Sequence, residues 1–132
     1  MYLDYTKFVV DQLIEKNDLK ENDFSSIDEV IEEVHNFTIR PSITYGNNID
    51  WSNIRREEDW ILTLQIFVEH GNYLDYRKMA SDIRKTIIKH CCYTKINDIL
   101  HNVNEVSLTT TFNTDFDSIS VLVNVNSKEV IH

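Results

Sequence analysis

Glycine occurs only twice in 132 residues, at Gly46 and Gly71, and proline only once, at Pro41. Two isolated glycines cannot form the loop whose backbone N–H groups close around a phosphate, which excludes a P-loop and a dinucleotide-binding turn. Cysteine is as scarce: Cys91 and Cys92 are the only pair, and they are adjacent. Neighbouring cysteines rarely meet disulfide geometry without strain, so a bridge-stapled extracellular scaffold is excluded and reduced thiols are expected. No apolar run approaches the roughly 20 residues that cross a bilayer, and MYLDYTKFVV lacks the basic region, long apolar segment and small-residue cleavage site of a secretory leader. The chain is therefore expected to be soluble and intracellular, without a membrane partner. Positive charge is also in deficit, with 13 Lys and Arg against 22 Asp and Glu. That balance disfavours direct nucleic-acid recognition, because neutralising phosphates takes clustered lysine and arginine. The deficit is uneven: residues 1–59 hold 14 acidic side chains against 6 basic ones, and residues 60–132 hold 8 against 7.

What is present specifies a folded domain. A hydrophobic content of 42% in 132 residues suits one core, so residues 1–132 are read as a single domain. Tyr5, Val9 and Leu13 recur at helical spacing and predict an amphipathic helix over 3–16. NDLKENDFSS reads as a solvated connection. Ser26 and Glu29 have capping-box spacing ahead of Ile27, Val30, Ile31 and Val34, which predicts a second, short helix over 27–36. FTIRPSITY alternates Phe37, Ile39, Pro41, Ile43 and Tyr45 as a half-buried strand, and Pro41, which has no N–H to donate, assigns it to an edge or a bulge. GNNIDWSNIRREED shows no period and reads as a long loop, a candidate contact arm. In WILTLQIFVEHG, Trp60, Leu62, Leu64, Ile66 and Val68 share the more apolar face of a central strand. After Gly71, Tyr76, Met79, Ala80, Ile83, Ile87 and Cys91 keep helical spacing over 73–91. YTKINDILHNVN fits a helical turn or an irregular packed connection. EVSLTTTF and SISVLVNVN alternate around NTDFD as an antiparallel hairpin. The sum is an α+β fold, an antiparallel or mixed sheet of about four strands with helices packed on one face.

Residues that carry chemistry are few and scattered. His90, Cys91 and Cys92 are consecutive, so on a helix they point about 100° apart, whereas structural zinc uses separated pairs. Cys91 is expected to pack inward and Cys92 to be partly exposed. His35, His70 and His101 have no local partner and read as surface or loop-capping side chains. Glu32–Glu33 and Glu57–Glu58–Asp59 read as solvated faces, since acid–base or magnesium chemistry needs carboxylates that converge. No catalytic residue, metal ligand or cofactor is assigned, and the chain is not expected to be an enzyme. On the long helix Arg77 with Arg84, and Lys78 with Lys85, form two heptad-spaced basic pairs on the outward side. Together with Trp51, Arg55 and Arg56 of the charged loop they are the candidate interface residues. Identical subunits could meet acidic region to basic helix, a heterologous contact that closes into a ring where the rotation allows.

The order of elements resembles a known family. An N-terminal helix, the proline-containing FTIRPSITYG, a charged loop, the strand WILTLQIFVEHG, the helix YRKMASDIRKTI and a terminal hairpin are together similar to the tail-terminator or tail-completion proteins of tailed bacteriophages. The likeness is one of element order and length over most of the chain, apart from the acidic insert around 18–36, and the helix expected at 27–36 departs from the simplest form of that fold. It implies a virion protein, assembled in the host cytoplasm, that forms a homo-oligomeric ring, commonly a hexamer, between the tail tube and the neck or connector proteins. The role would be assembly control: one face binds the last tube ring and the other presents a different surface, so growth stops. A rival expectation is an acidic intracellular inhibitor or immunity-type protein whose acidic half occupies the basic groove of a nucleic-acid enzyme.

Overall fold

The computed structural model describes residues 2–50, 57–113 and 115–130, with residues 47–50 described by backbone alone. Helix α1 (Tyr2–Lys16) is followed by strands β1 (Phe37–Asp50) and β2 (Glu57–Glu69), helix α2 (Tyr73–His90), and strands β3 (Tyr93–Ile96), β4 (Ile99–Phe112) and β5 (Phe116–Glu129). The strands form one antiparallel sheet in the order β1-β2-β5-β4-β3. The fold is α+β, as the periodicities predict, with five strands where about four are expected.

Strand alternation decides what the sheet buries. Trp60, Leu62, Leu64, Ile66 and Val68 of β2 are all at most 1% exposed. They stand opposite Val125, Val123, Val121, Ile119 and Asp117 of β5, so one continuous face carries the apolar residues of both interior strands. α1 and α2 lie on that face. Tyr5, Val9 and Leu13 of α1 and Ala80, Ile83 and Ile87 of α2 are fully buried within the same core. Removing a large aliphatic side chain from water is worth about 2 kcal/mol, enough for such a stripe to hold a helix against the sheet. Tyr5 also donates its hydroxyl to the Cys91 carbonyl at 2.7 Å, tying α1 to the end of α2.

Pro41 lies in β1, which is an edge strand as its missing donor requires. The outer side of that edge is covered: Ser25 N–H donates to the Ile39 carbonyl and Asp28 N–H to the Pro41 carbonyl, both at 2.9 Å. The covering segment corrects two expectations. NDLKENDFSS is not merely solvated, since Leu19 is buried, residues Glu21–Asp23 form a 3-10 turn and Phe24 bridges Ile39. The helix expected over 27–36 is absent; Asp28 and Asn36 take positive φ values of 57° and 65°, and residues 29–34 have no regular structure.

Of the long loop expected at 46–59, the described residues 46–50 and 57–59 are strand, since β1 continues to Asp50 and β2 begins at Glu57, with register shifts after Tyr45 and after Asn48. Gly46 sits at the first shift, where a Cβ would lie 1.5 Å from the Asp59 carbonyl oxygen. YTKINDILHNVN is a hairpin, not a helical turn. Asn97 and Asp98 have φ of 50° and 64° between the paired residues Ile96 and Ile99, the backbone of a two-residue turn that matches strand twist.

Candidate functional site

Two side-chain groups resemble chemistry and are fixed by packing instead. His101, expected at the surface, is only 1% exposed. Its Nδ1 lies 2.6 Å from Ser127 Oγ, which also accepts a hydrogen bond from Trp60 Nε1 at 2.8 Å, while the Tyr5 ring packs against the imidazole. Burial holds the imidazole down to about 4 from its ordinary 6.5, so it is neutral at physiological pH. A Ser–His pair needs an accessible oxygen to act as a nucleophile, and Ser127 is itself 1% exposed. The pair is a polar clasp inside the core. The second group closes the β2–α2 junction. Asp117 accepts from Gly71 N–H at 2.7 Å and lies 3.1 Å from His70 Nδ1, while Gly71 takes φ of 89°. Asp117 therefore caps the turn, and His70, mostly exposed beside it, lies at the surface as expected.

His90, Cys91 and Cys92 diverge: His90 is exposed, Cys91 is fully buried and Cys92 half-buried. Burial pushes the Cys91 thiol up to about 12, which removes it from thiolate chemistry. Among the described residues no three His, Cys, Asp or Glu side chains converge on a point that could hold a metal ion. The acidic clusters separate as well. Glu32 and Glu33 are exposed, whereas Glu58 accepts from the Tyr2 hydroxyl and Asp59 from Asn126 Nδ2. A cleft of about 400 Å³ opens on the helix-free face around Thr44, Gly46, Ile61, Glu105 and Asn124. Its lining offers amide, hydroxyl and carboxylate groups and no nucleophile–base pair.

The remaining feature is a surface. Trp51, Arg55 and Arg56 lie outside the described residues. On α2, Arg77 and Lys85 are exposed and make no ion pair among the described residues, and Lys78 pairs with Asp82 at 3.0 Å. Arg84 does not point freely outward as expected. Its Nε donates to the Val106 carbonyl of β4 at 2.8 Å, in a partly buried position. The helix thus leans a guanidinium onto a strand edge, and a groove of about 540 Å³ runs between α2 and β4, bordered by Arg77, Ser81, Lys85, Leu108 and Thr110.

That strand edge is the feature missing from the sequence-based reading. β3 covers only the first residues of β4, from Ile99 to Asn102. Beyond the register shift after Val103, β4 continues to Phe112 with β5 as its single partner among the described residues. Leu108 and Phe112 are 41% and 57% exposed there, and Phe112 meets Tyr73 edge-on at 4.7 Å. Sequence shows that residues 105–112 of β4 are a strand; which strand ends at an edge depends on pairing order, which no local pattern encodes. Comparison of the chain with protein-family models and with curated proteins finds no match.

Proposed function

We propose that this chain is a non-enzymatic assembly protein of a tailed-phage virion, a ring-forming tail terminator or neck component that caps the tail tube and joins it to the connector. The observation that carries the reading is the division of charge between opposite ends of one sheet. The acidic segment around Asp28, Glu29, Glu32 and Glu33 lies at the β1 edge, while Arg77 and Lys85 stand on α2 beside β4, on the far side of β2 and β5. Identical copies are therefore complementary head to tail, and such heterologous contacts generate rings when the rotation closes.

The order α1, proline-bearing β1, β2, α2 and a terminal β4–β5 hairpin retains the helices and strands on which the family likeness rests, with β3 added and with the described ends of the charged loop paired as strand. The helix over 27–36, which departed from the simplest form of that fold, is not there. In this reading the ring seats on the last tube ring through one face, and its different opposite face ends tube growth.

Native mass spectrometry of the purified chain, followed by electron microscopy after mixing with uncapped tail tubes, tests the proposal. A closed ring, a hexamer in the form the likeness implies, that binds tube ends and halts elongation supports it. A chain that stays monomeric with tubes present and instead binds a basic nucleic-acid enzyme replaces it with the inhibitor reading.

A further inference from the structure

Hydrogen-bond parity shows which groups of β4 face away from the sheet. Asn113 N–H donates to the Phe116 carbonyl at 3.0 Å across the β4–β5 turn, so residues 113 and 116 form a hydrogen-bonded pair and the pairs from 112/117 inward alternate. On that count Phe112, Thr110, Leu108 and Val106 turn their N–H and C=O groups away from β5. The Arg84 contact with the Val106 carbonyl agrees independently. Arg84 satisfies one of these groups, and no described residue bonds the main chain of Leu108, Thr110 or Phe112 on the outer side. An open edge with exposed apolar side chains is a template for another strand. The opposite edge is managed, with Pro41 in the strand and residues 24–28 laid along it.

The same chain carries a segment suited to that template. Residues 30–35, VIEEVH, have no main-chain hydrogen bond among the described residues, and Val30 is 78% exposed. In an extended conformation Val30, Glu32 and Val34 fall on one face, presenting apolar, acidic and apolar groups in turn. The β4 edge presents Leu108, Thr110 and Phe112 at the same spacing, with Arg77 and Lys85 across the groove. The segment cannot serve its own chain: it is anchored at the β1 edge by Asp28 N–H and by the Glu29 carbonyl, which accepts from Arg40. β4 lies three strands away, roughly 14 Å at about 4.8 Å per strand.

We propose that the β4 edge from Val106 to Phe112 is a strand-addition site whose occupant is residues 30–35 of a second copy of this chain, with Glu32 directed at Arg77 and Lys85. The proposal deepens the ring reading above and rests on it for the identity of the partner. Each subunit donates at its β1 side and accepts at its β4 side, so the contact is head to tail and extends the sheet from one subunit into the next.

Thr110→Pro tests it, because proline removes an outward N–H and leaves the ladder to β5 intact on the parity above. Glu32→Lys with Glu33→Lys is the second variant, placed on the exposed donor. Full-length wild type and both variants are compared by native mass spectrometry and thermal denaturation. The expected result is loss of the wild-type oligomer in each variant, with the double-lysine variant still folded and unfolding in one cooperative step. Wild-type rings that persist in both variants overturn the edge contact and leave the ring reading standing. Loss of association in the variants from a wild type that forms dimers or open fibres keeps the edge contact and overturns the ring. A wild type that is monomeric throughout overturns both.

Discussion

The two glycines serve different physical needs, and substitution separates them. Gly46 is constrained by space, since a Cβ there would lie 1.5 Å from the Asp59 carbonyl oxygen. Gly46→Ala forces β1 from β2 and should destabilise the protein by about 1–3 kcal/mol, as overpacking does. Gly71 has nothing within 4 Å of an added Cβ but holds φ at +89°, so Gly71→Ala should cost roughly 1–2 kcal/mol of backbone strain. Thermal or urea denaturation checks both. A Gly46→Ala protein of wild-type stability would show that the β1 register shift is placed wrongly. His101 sets a pH dependence. The unfolded chain takes up its proton near pH 6.5 and the folded chain not until about 4. Between those values the unfolded state holds more protons, so the contribution is full above 6.5 and is lost as the pH falls toward 4. A shift of that size is on the order of 3 kcal/mol. His101→Phe, which keeps an aromatic ring beside Tyr5, should flatten this part of the stability profile relative to wild type. Parallel profiles for the two proteins would show that the imidazole is hydrated in solution.

Among the elements, β2 offers the sharpest check of facing. Val68 is fully buried and stands opposite Asp117. Val68→Asp places a second carboxylate in the core and should cost about 3 kcal/mol or more. Thr109→Glu, exposed on the helix-free face of β4, should stay within about 0.5 kcal/mol. Equal midpoints for the two variants would reverse the assignment of the buried face. β2, α1, α2 and the β4–β5 hairpin were legible because one side of each is apolar at the period of its own geometry. Residues 27–36 were not. Ile27, Val30, Ile31 and Val34 have helical spacing, but Val30, Glu32 and Val34 equally alternate, and a helix this short is marginal without tertiary support. The bonds from Ser25 and Asp28 that cover the β1 edge compete for the same chain and hold Asp28 at a φ no helix allows. The β3–β4 turn escaped for a chemical reason: Asn97-Asp98 adopts two positive φ values without the glycine that usually announces such a turn. In the candidate site, the exposure of Arg77, Lys78 and Lys85 followed from helix phase. The seat of Arg84 did not, because its acceptor Val106 belongs to an element whose place in the sheet is set by long-range pairing.

At the scale of the whole molecule, the net charge of −9 opposes self-association, yet its uneven distribution permits association in one orientation. Exposed charges add little to monomer stability, whereas unlike charges meeting across an interface orient partners and like charges repel. Raised salt should therefore weaken the wild-type oligomer. A mixing experiment asks more. In one chain Arg77→Glu and Lys85→Glu make the accepting groove acidic; in another Glu32→Lys and Glu33→Lys make the donor basic. Alone, each faces itself with like charges at every junction and should remain monomeric in native mass spectrometry. Mixed, the acidic donor of the first meets the basic acceptor of the second, and the basic donor of the second meets the acidic acceptor of the first. The mixture should recover assembly with strictly alternating subunits, hence equal numbers of each chain and an even total. A mixture that stays monomeric would show that these charges do not face one another. Mixed oligomers of random composition would show that charge does not select neighbours, whereas one-to-one dimers that grow no further would mean the contact is reciprocal between two copies and cannot build a ring.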